Sequence, residues 1–169
     1  MRRLNVLARG RDCARRLAAC AVADWRLTAT LFALRISLPL AKRVMSVSKL
    51  AAALWSAPDG PDVDPTRAET IARIRFAMKS GGRLLVSSNC LERSLAMYHV
   101  LSRAGATPAL VLGTRRDGAA LAGHAWIELD GNPFAEPDAG DYVRVITFGV
   151  QGSRFPADSR VPAVQYLTQ

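Results

Sequence analysis

Apolar residues recur at three- and four-residue spacing through 11–34 and again through 40–56, on an Ala/Leu/Arg-rich background. That period predicts two amphipathic helices. Pro39 should mark the break or kink between them, because a proline lacks the backbone donor and crowds the preceding turn. The polar, proline-rich run "SAPDGPDVDP" at 56–65 reads as a connection. Thr66 followed by Glu69 is a capping box, so a third helix should run to about Lys79 and end at Gly81-Gly82. A fourth begins at "SNCLERS", where Asn89 followed by Glu92 repeats the capping pattern. In that fourth helix Leu91, Leu95, Tyr98 and Ser102 form one stripe, with Leu101 beside it, able to dock on a sheet.

Past this point the period falls to two. "PALVLGT" (108–114), "HAWIELD" (124–130) and "YVRVITF" (142–148) read as strands, with "RRDG" and "DG" as turns. No internal repeat occurs, and the last twenty residues read as irregular chain. Helices first and antiparallel strands later give an α+β class. Residues 1–65 are expected to form basic helices and their connection, and residues 66–169 a core that makes one compact unit.

Composition adds a lopsided charge. Residues 1–55 hold eleven Lys/Arg and two Asp, which accounts for the whole net charge of +9. Such a region could attract nucleic acid, anionic lipid or an acidic peptide, or could present solvated arginine faces. It lacks the interleaved aromatics of a single-strand binding groove, so no nucleic-acid partner is expected. "MRR" and "LAAC" imitate export signals, yet Arg9, Arg11, Asp12, Arg15 and Arg16 interrupt the place of an apolar core. The longest uncharged run in the first sixty residues, Leu50–Pro58, is far below the roughly 18 residues of a membrane span. A cytoplasmic protein is expected. Three cysteines fit a reducing compartment. Cys13 and Cys20 lie seven residues apart, too far along one helix for a disulfide, and read as buried apolar residues.

Cys90 differs from those two. If Asn89 caps the fourth helix, Cys90 takes its first position, among free N–H groups at the positive end of the dipole. That setting favours a thiolate nucleophile, and the same N–H groups could hold the oxyanion of a tetrahedral intermediate. The bland reading, a small buried cysteine, holds unless a base stands nearby. His99, nine residues on, faces the opposite side of the helix and is expected to be a surface or packing residue. His124 opens a strand and shares its face with Trp126 and Glu128. If Leu129-Asp130-Gly131 is a three-residue hairpin loop, His124 pairs with Glu136 across the strands, at about 5 Å between Cβ atoms. A two-residue loop would put Glu136 on the wrong face. Asp138 is then the alternative orienting acid. Cys90, His124 and Glu136 would be nucleophile, base and orienting group for acyl transfer through a thioester, a scheme that needs neither cofactor nor metal.

"CLERSLAMYHVLSRAG…LVLGTRRD…GHAWIELDG" resembles the B2 proteins of lasso-peptide biosynthesis, the transglutaminase-like leader peptidases. Cys90, Leu91, Arg93, Ser94, Leu95 and Ala96 match one family motif; His124, Ala125, Trp126 and Glu128 match the other. The resemblance is specific over about 84–148 and looser over the helices from about residue 24. It implies a papain/transglutaminase-like core with its catalytic cysteine at a helix N-terminus packed on an antiparallel sheet. It also implies removal of a leader from a ribosomally made precursor, beside a separate leader-recognition protein and an asparagine-synthetase-like cyclase. Asn89 and Trp126 would lie near the site. Two positions depart from the family pattern: Glu136 stands where Asp is usual, and Gly123 where Ala is usual. Two further readings stay open: a transglutaminase-like acyltransferase with the same triad, and a non-catalytic basic module for a peptide, a membrane surface or nucleic acid.

Overall fold

The computed structural model describes residues 24–56, 69–77 and 89–156. Helix α1 spans Trp25–Val44 and α2 spans Val47–Leu54. Residues 69–77 form α3, and Cys90–Arg103 form α4. Strands β1 (Ala109–Asp117), β2 (Ala120–Leu129), β3 (Asn132–Pro133), β4 (Val143–Phe148) and β5 (Arg154–Pro156) follow. They make one antiparallel sheet in the order β3-β2-β1-β4-β5. This is the expected α+β arrangement, a helical part followed by an antiparallel sheet.

The element boundaries correct several expectations. The described helix starts at Trp25, capped by Asp24, whose carboxylate accepts from the Leu27 N–H at 2.9 Å. Pro39 lies inside α1 instead of ending it. It forgoes one backbone bond and crowds the preceding turn, at about 3 kcal/mol, while Leu31 and Leu38 on the same helix are buried almost completely; that burial, about 2 kcal/mol per leucine, outweighs the cost. The break falls at Met45–Ser46, where Ser46 caps α2 through the Lys49 N–H at 3.4 Å. "RRDG" is not a loop: Arg115, Arg116 and Asp117 stay in β1, and the turn is Gly118-Ala119, with Gly118 at φ 61°. The end of the chain is less irregular than its composition implies, since β5 pairs with β4. Cys13, Cys20, Thr66 of the capping box and the glycine end of the third helix lie outside the described residues.

One core joins the helices to the sheet. Leu31 and Leu38 of α1 and Leu50 and Ala51 of α2 pack with Leu95, Tyr98 and Leu101 of α4. Leu110, Ile127 and Phe148 supply the sheet side. Tyr98 is fully buried and donates to the Gly149 carbonyl, while the Gly152 N–H donates to its oxygen at 3.2 Å. Burial pushes this phenol up to about 12, against the lowering effect of the Gly152 bond. His99 Nδ1 meets the Leu54 carbonyl at 2.8 Å and so ties α4 to the end of α2. The outer side of α1 is apolar too: Trp25, Phe32, Ile36, Leu40 and Val44 are all exposed. None of the described helices is long and apolar enough to cross a membrane.

Candidate active site

Helix α4 begins as its sequence dictates. Asn89 is extended, and its side-chain oxygen accepts from the N–H groups of Leu91 (3.0 Å) and Glu92 (3.3 Å). Its carbonyl accepts from the Arg93 N–H at 3.0 Å. Cys90 is therefore the first helical residue, part-exposed and with a free thiol. The cap takes up the amides of residues 91–93, so among the described residues the Cys90 N–H is the first-turn donor without an acceptor. Glu92 is buried, and its carboxylate meets Lys42 of α1 at 2.5 Å, which fixes the first turn of α4 from behind.

The sheet side is built on β2. His124 is its fifth residue, not its first as the sequence suggested, and pairs with Gly113 of β1. On the opposite edge β3 pairs only with Glu128 and Leu129, so no strand of the described residues reaches as far as His124. The carbonyls of Ala125 and Ile127, two residues apart, point to that same edge. Phe134 N–H fills the second at 2.8 Å, and Ser94 Oγ fills the first at 2.9 Å. Ser94 lies four residues after Cys90 and so on the same side of the helix. The first turn of α4 is thus docked along the unpaired edge of β2 beside His124.

The expected route to Glu136 fails, and Glu136 arrives by another. Leu129 pairs with Asn132, so the loop is Asp130-Gly131, with φ of 51° and 77°: a two-residue turn of the I′ type. The strand then stops after Pro133, before cross-strand register could decide anything. Ala135 takes a left-handed φ of 56°, which turns the chain and delivers Glu136 at the entry to the 3-10 segment Pro137–Asp141. Glu136 Oε2 stands 3.6 Å from His124 Nε2, with both side chains more than four-fifths buried. That is an ion-pair distance beyond hydrogen-bond length, and Nε2 has no hydrogen-bond partner. The other oxygen, Oε1, meets Arg93 of α4 at 2.5 Å. Asp138 is exposed on the 3-10 segment.

Aromatic rings wall the base. Tyr142 stacks on His124 at 4.8 Å between centroids, and Trp126 lies nearly parallel to it at 6.0 Å. Trp126 Nε1 donates to Glu128 at 2.8 Å, and Glu128 is held by Arg144 at 2.9 Å. Gly113 is part of the same packing: a Cβ there would stand 2.6 Å from the Trp126 ring. Arg93, Tyr142 and Gly113 received no role from sequence. Arg93 at least stood within the cysteine motif; nothing in the pattern of residues marked the other two.

A family model described as the transglutaminase-like superfamily matches residues 33–147. The chain belongs to this superfamily. No curated protein and no solved structure matches it. Transglutaminase-like domains typically work through a cysteine, and the match covers Cys90, His124 and Glu136 together with α2 and most of α1. The superfamily assignment is coarser than the lasso-peptide family, and it accommodates either a peptidase or an acyltransferase.

Proposed function

We propose that the protein is a cysteine peptidase that removes the leader from a ribosomally made lasso-type precursor. The observation that carries the reading is the meeting, at one unpaired sheet edge, of the Cys90 helix start with the His124–Glu136 pair. With Nε2 turned to Glu136, Nδ1 is the nitrogen left to take the Cys90 proton. The thiolate attacks the scissile carbonyl, and the Cys90 N–H faces the developing oxyanion. His124 returns the proton to the leaving amine, which leaves a thioester on Sγ. Water, deprotonated by His124, then breaks the thioester and regenerates the thiol. Glu136 orients the imidazole and supports its positive charge; Asp138, exposed and two residues further on, is the alternative.

The proposed setting is cytoplasmic, with a separate leader-recognition protein and an asparagine-synthetase-like cyclase as partners. Purified protein, precursor and recognition partner should release the leader. Cys90→Ala should remove all detectable cleavage, a loss on the order of 10⁴-fold or more for a covalent nucleophile. Normal cleavage by Cys90→Ala would end the proposal. The superfamily match favours one second reading, transfer of the acyl group to an amine. Mass spectrometry of the product separates the two, since hydrolysis adds water and transfer adds the amine.

A further inference from the structure

Arg93 lies three residues after Cys90 in the same helix, and its guanidinium meets Glu136 Oε1 at 2.5 Å while Oε2 faces His124 at 3.6 Å. The carboxylate is shared, and its shorter contact is with the arginine. Its backbone adds one long bond, from the Ala139 N–H to the Glu136 carbonyl at 3.4 Å, which does not fix the side chain. Glu136 belongs to no strand, follows a left-handed Ala135, and precedes a 3-10 segment for which it forms no side-chain cap. We infer that Arg93 is the positioning residue of the site, a clamp that makes α4 the common ruler for nucleophile, base and acid. This rests on the peptidase reading for its consequence in turnover, although the clamp itself is a matter of geometry.

The clamp works through rigidity. Cys90 and Arg93 sit within one turn of a capped helix, so their spacing is fixed by backbone hydrogen bonds. Ser94 fixes that turn to β2 next to His124. A planar guanidinium holding one carboxylate oxygen leaves the other a defined direction, toward the imidazole. All three side chains are largely buried, at 27%, 17% and 15% exposure for Arg93, Glu136 and His124, so the ion pair is weakly screened. Remove Arg93, and Glu136 loses the contact that points it.

A double-mutant cycle tests this. Arg93→Ala should lower kcat for leader release by about 10- to 100-fold with KM within about two-fold, the usual range for losing a group that orients a reacting one. Arg93→Lys, which keeps the charge without the planar fork, should recover part of that loss. In a Glu136→Ala background, Arg93→Ala should cost nothing further, because the carboxylate that it clamps is gone. Equal losses in both backgrounds would mark Arg93 as a packing residue and overturn the inference. The same panel is read a second way, by the rate at which iodoacetamide alkylates Cys90 at neutral pH, which requires no peptide. Arg93→Ala slowed as much as Glu136→Ala supports the clamp even if no precursor is ever cleaved. A wild-type alkylation rate in Arg93→Ala overturns it whatever the substrate proves to be.

Discussion

The two edges of β2 are held in different ways. Along one, nine consecutive residue pairs join it to β1, from Ala109↔Glu128 to Asp117↔Ala120. Along the other, pairing with β3 stops after two residues, and side chains take over: Ser94 on the Ala125 carbonyl, then the Arg93–Glu136–His124 series. A backbone ladder repeats one geometry and leaves no room for chemistry. An interrupted ladder leaves backbone groups and side chains that must find other partners, and it is there that the thiol helix docks. The regular edge gives β2 its position, and the irregular edge gives the site its components.

The regular edge should break hardest. Gly113 pairs with His124, and an added Cβ would lie 2.6 and 2.7 Å from two Trp126 ring atoms and 2.8 Å from the Val143 carbonyl oxygen. The carbonyl is backbone, and the ring is 1% exposed and tethered to Glu128, so neither yields cheaply. Gly113→Ala should therefore destabilise the fold by about 2–3 kcal/mol, as overpacking does. Urea unfolding measures it; a midpoint equal to that of the parent protein would mean that the ladder tolerates spreading at its centre.

On the irregular edge a single bond is at stake. Ser94→Ala deletes the hydroxyl that satisfies the Ala125 carbonyl in a buried setting. The cost should be about 1–2 kcal/mol, smaller than at Gly113 because no atoms collide. Since the bond also sets α4 against β2, Cys90 alkylation should slow in parallel with the loss of stability. Unchanged alkylation in a destabilised variant would separate docking of the helix from alignment of the thiol.

The same contrast decides what was legible in the sequence. Regular structure announces itself by period: the stripe of α4 and the alternation of β1, β2 and β4 give the α+β class and its order. The cap is local chemistry, and Asn89 does what its residue type predicts. Pro39 misled because its cost to the helix is outweighed by the burial of Leu31 and Leu38, and burial is a tertiary fact. The hairpin misled in a more instructive way. Asp-Gly accepts either a two- or a three-residue loop, and the structure uses two. Continued pairing in that register would send Glu136 to the wrong face, yet the strand ends first and Ala135, a residue with no preference for positive φ, turns the chain. No spacing rule reads a strand that stops after two residues. Arg93 was illegible for a related reason, since its partner is defined only once that irregular turn exists.

A second glycine sharpens the comparison by contrast with the first. Gly123 stands one residue before His124, opposite Thr114, and a Cβ built there meets nothing within 4 Å. It holds no positive φ, so alanine fits its backbone without strain. Gly123→Ala should stabilise the protein, by about 0.4–1 kcal/mol, chiefly by narrowing the unfolded ensemble. The change would match the alanine that precedes the histidine in the lasso-peptide family that the sequence resembles, with no contact disturbed. Leader release should stay within about two-fold of the parent protein, an effect under 0.5 kcal/mol in the barrier. The same Gly→Ala change ten residues apart in one hairpin should thus move stability in opposite directions. Loss of stability at Gly123 would mean that the sheet face opposite His124 is covered there in solution by something other than the described residues.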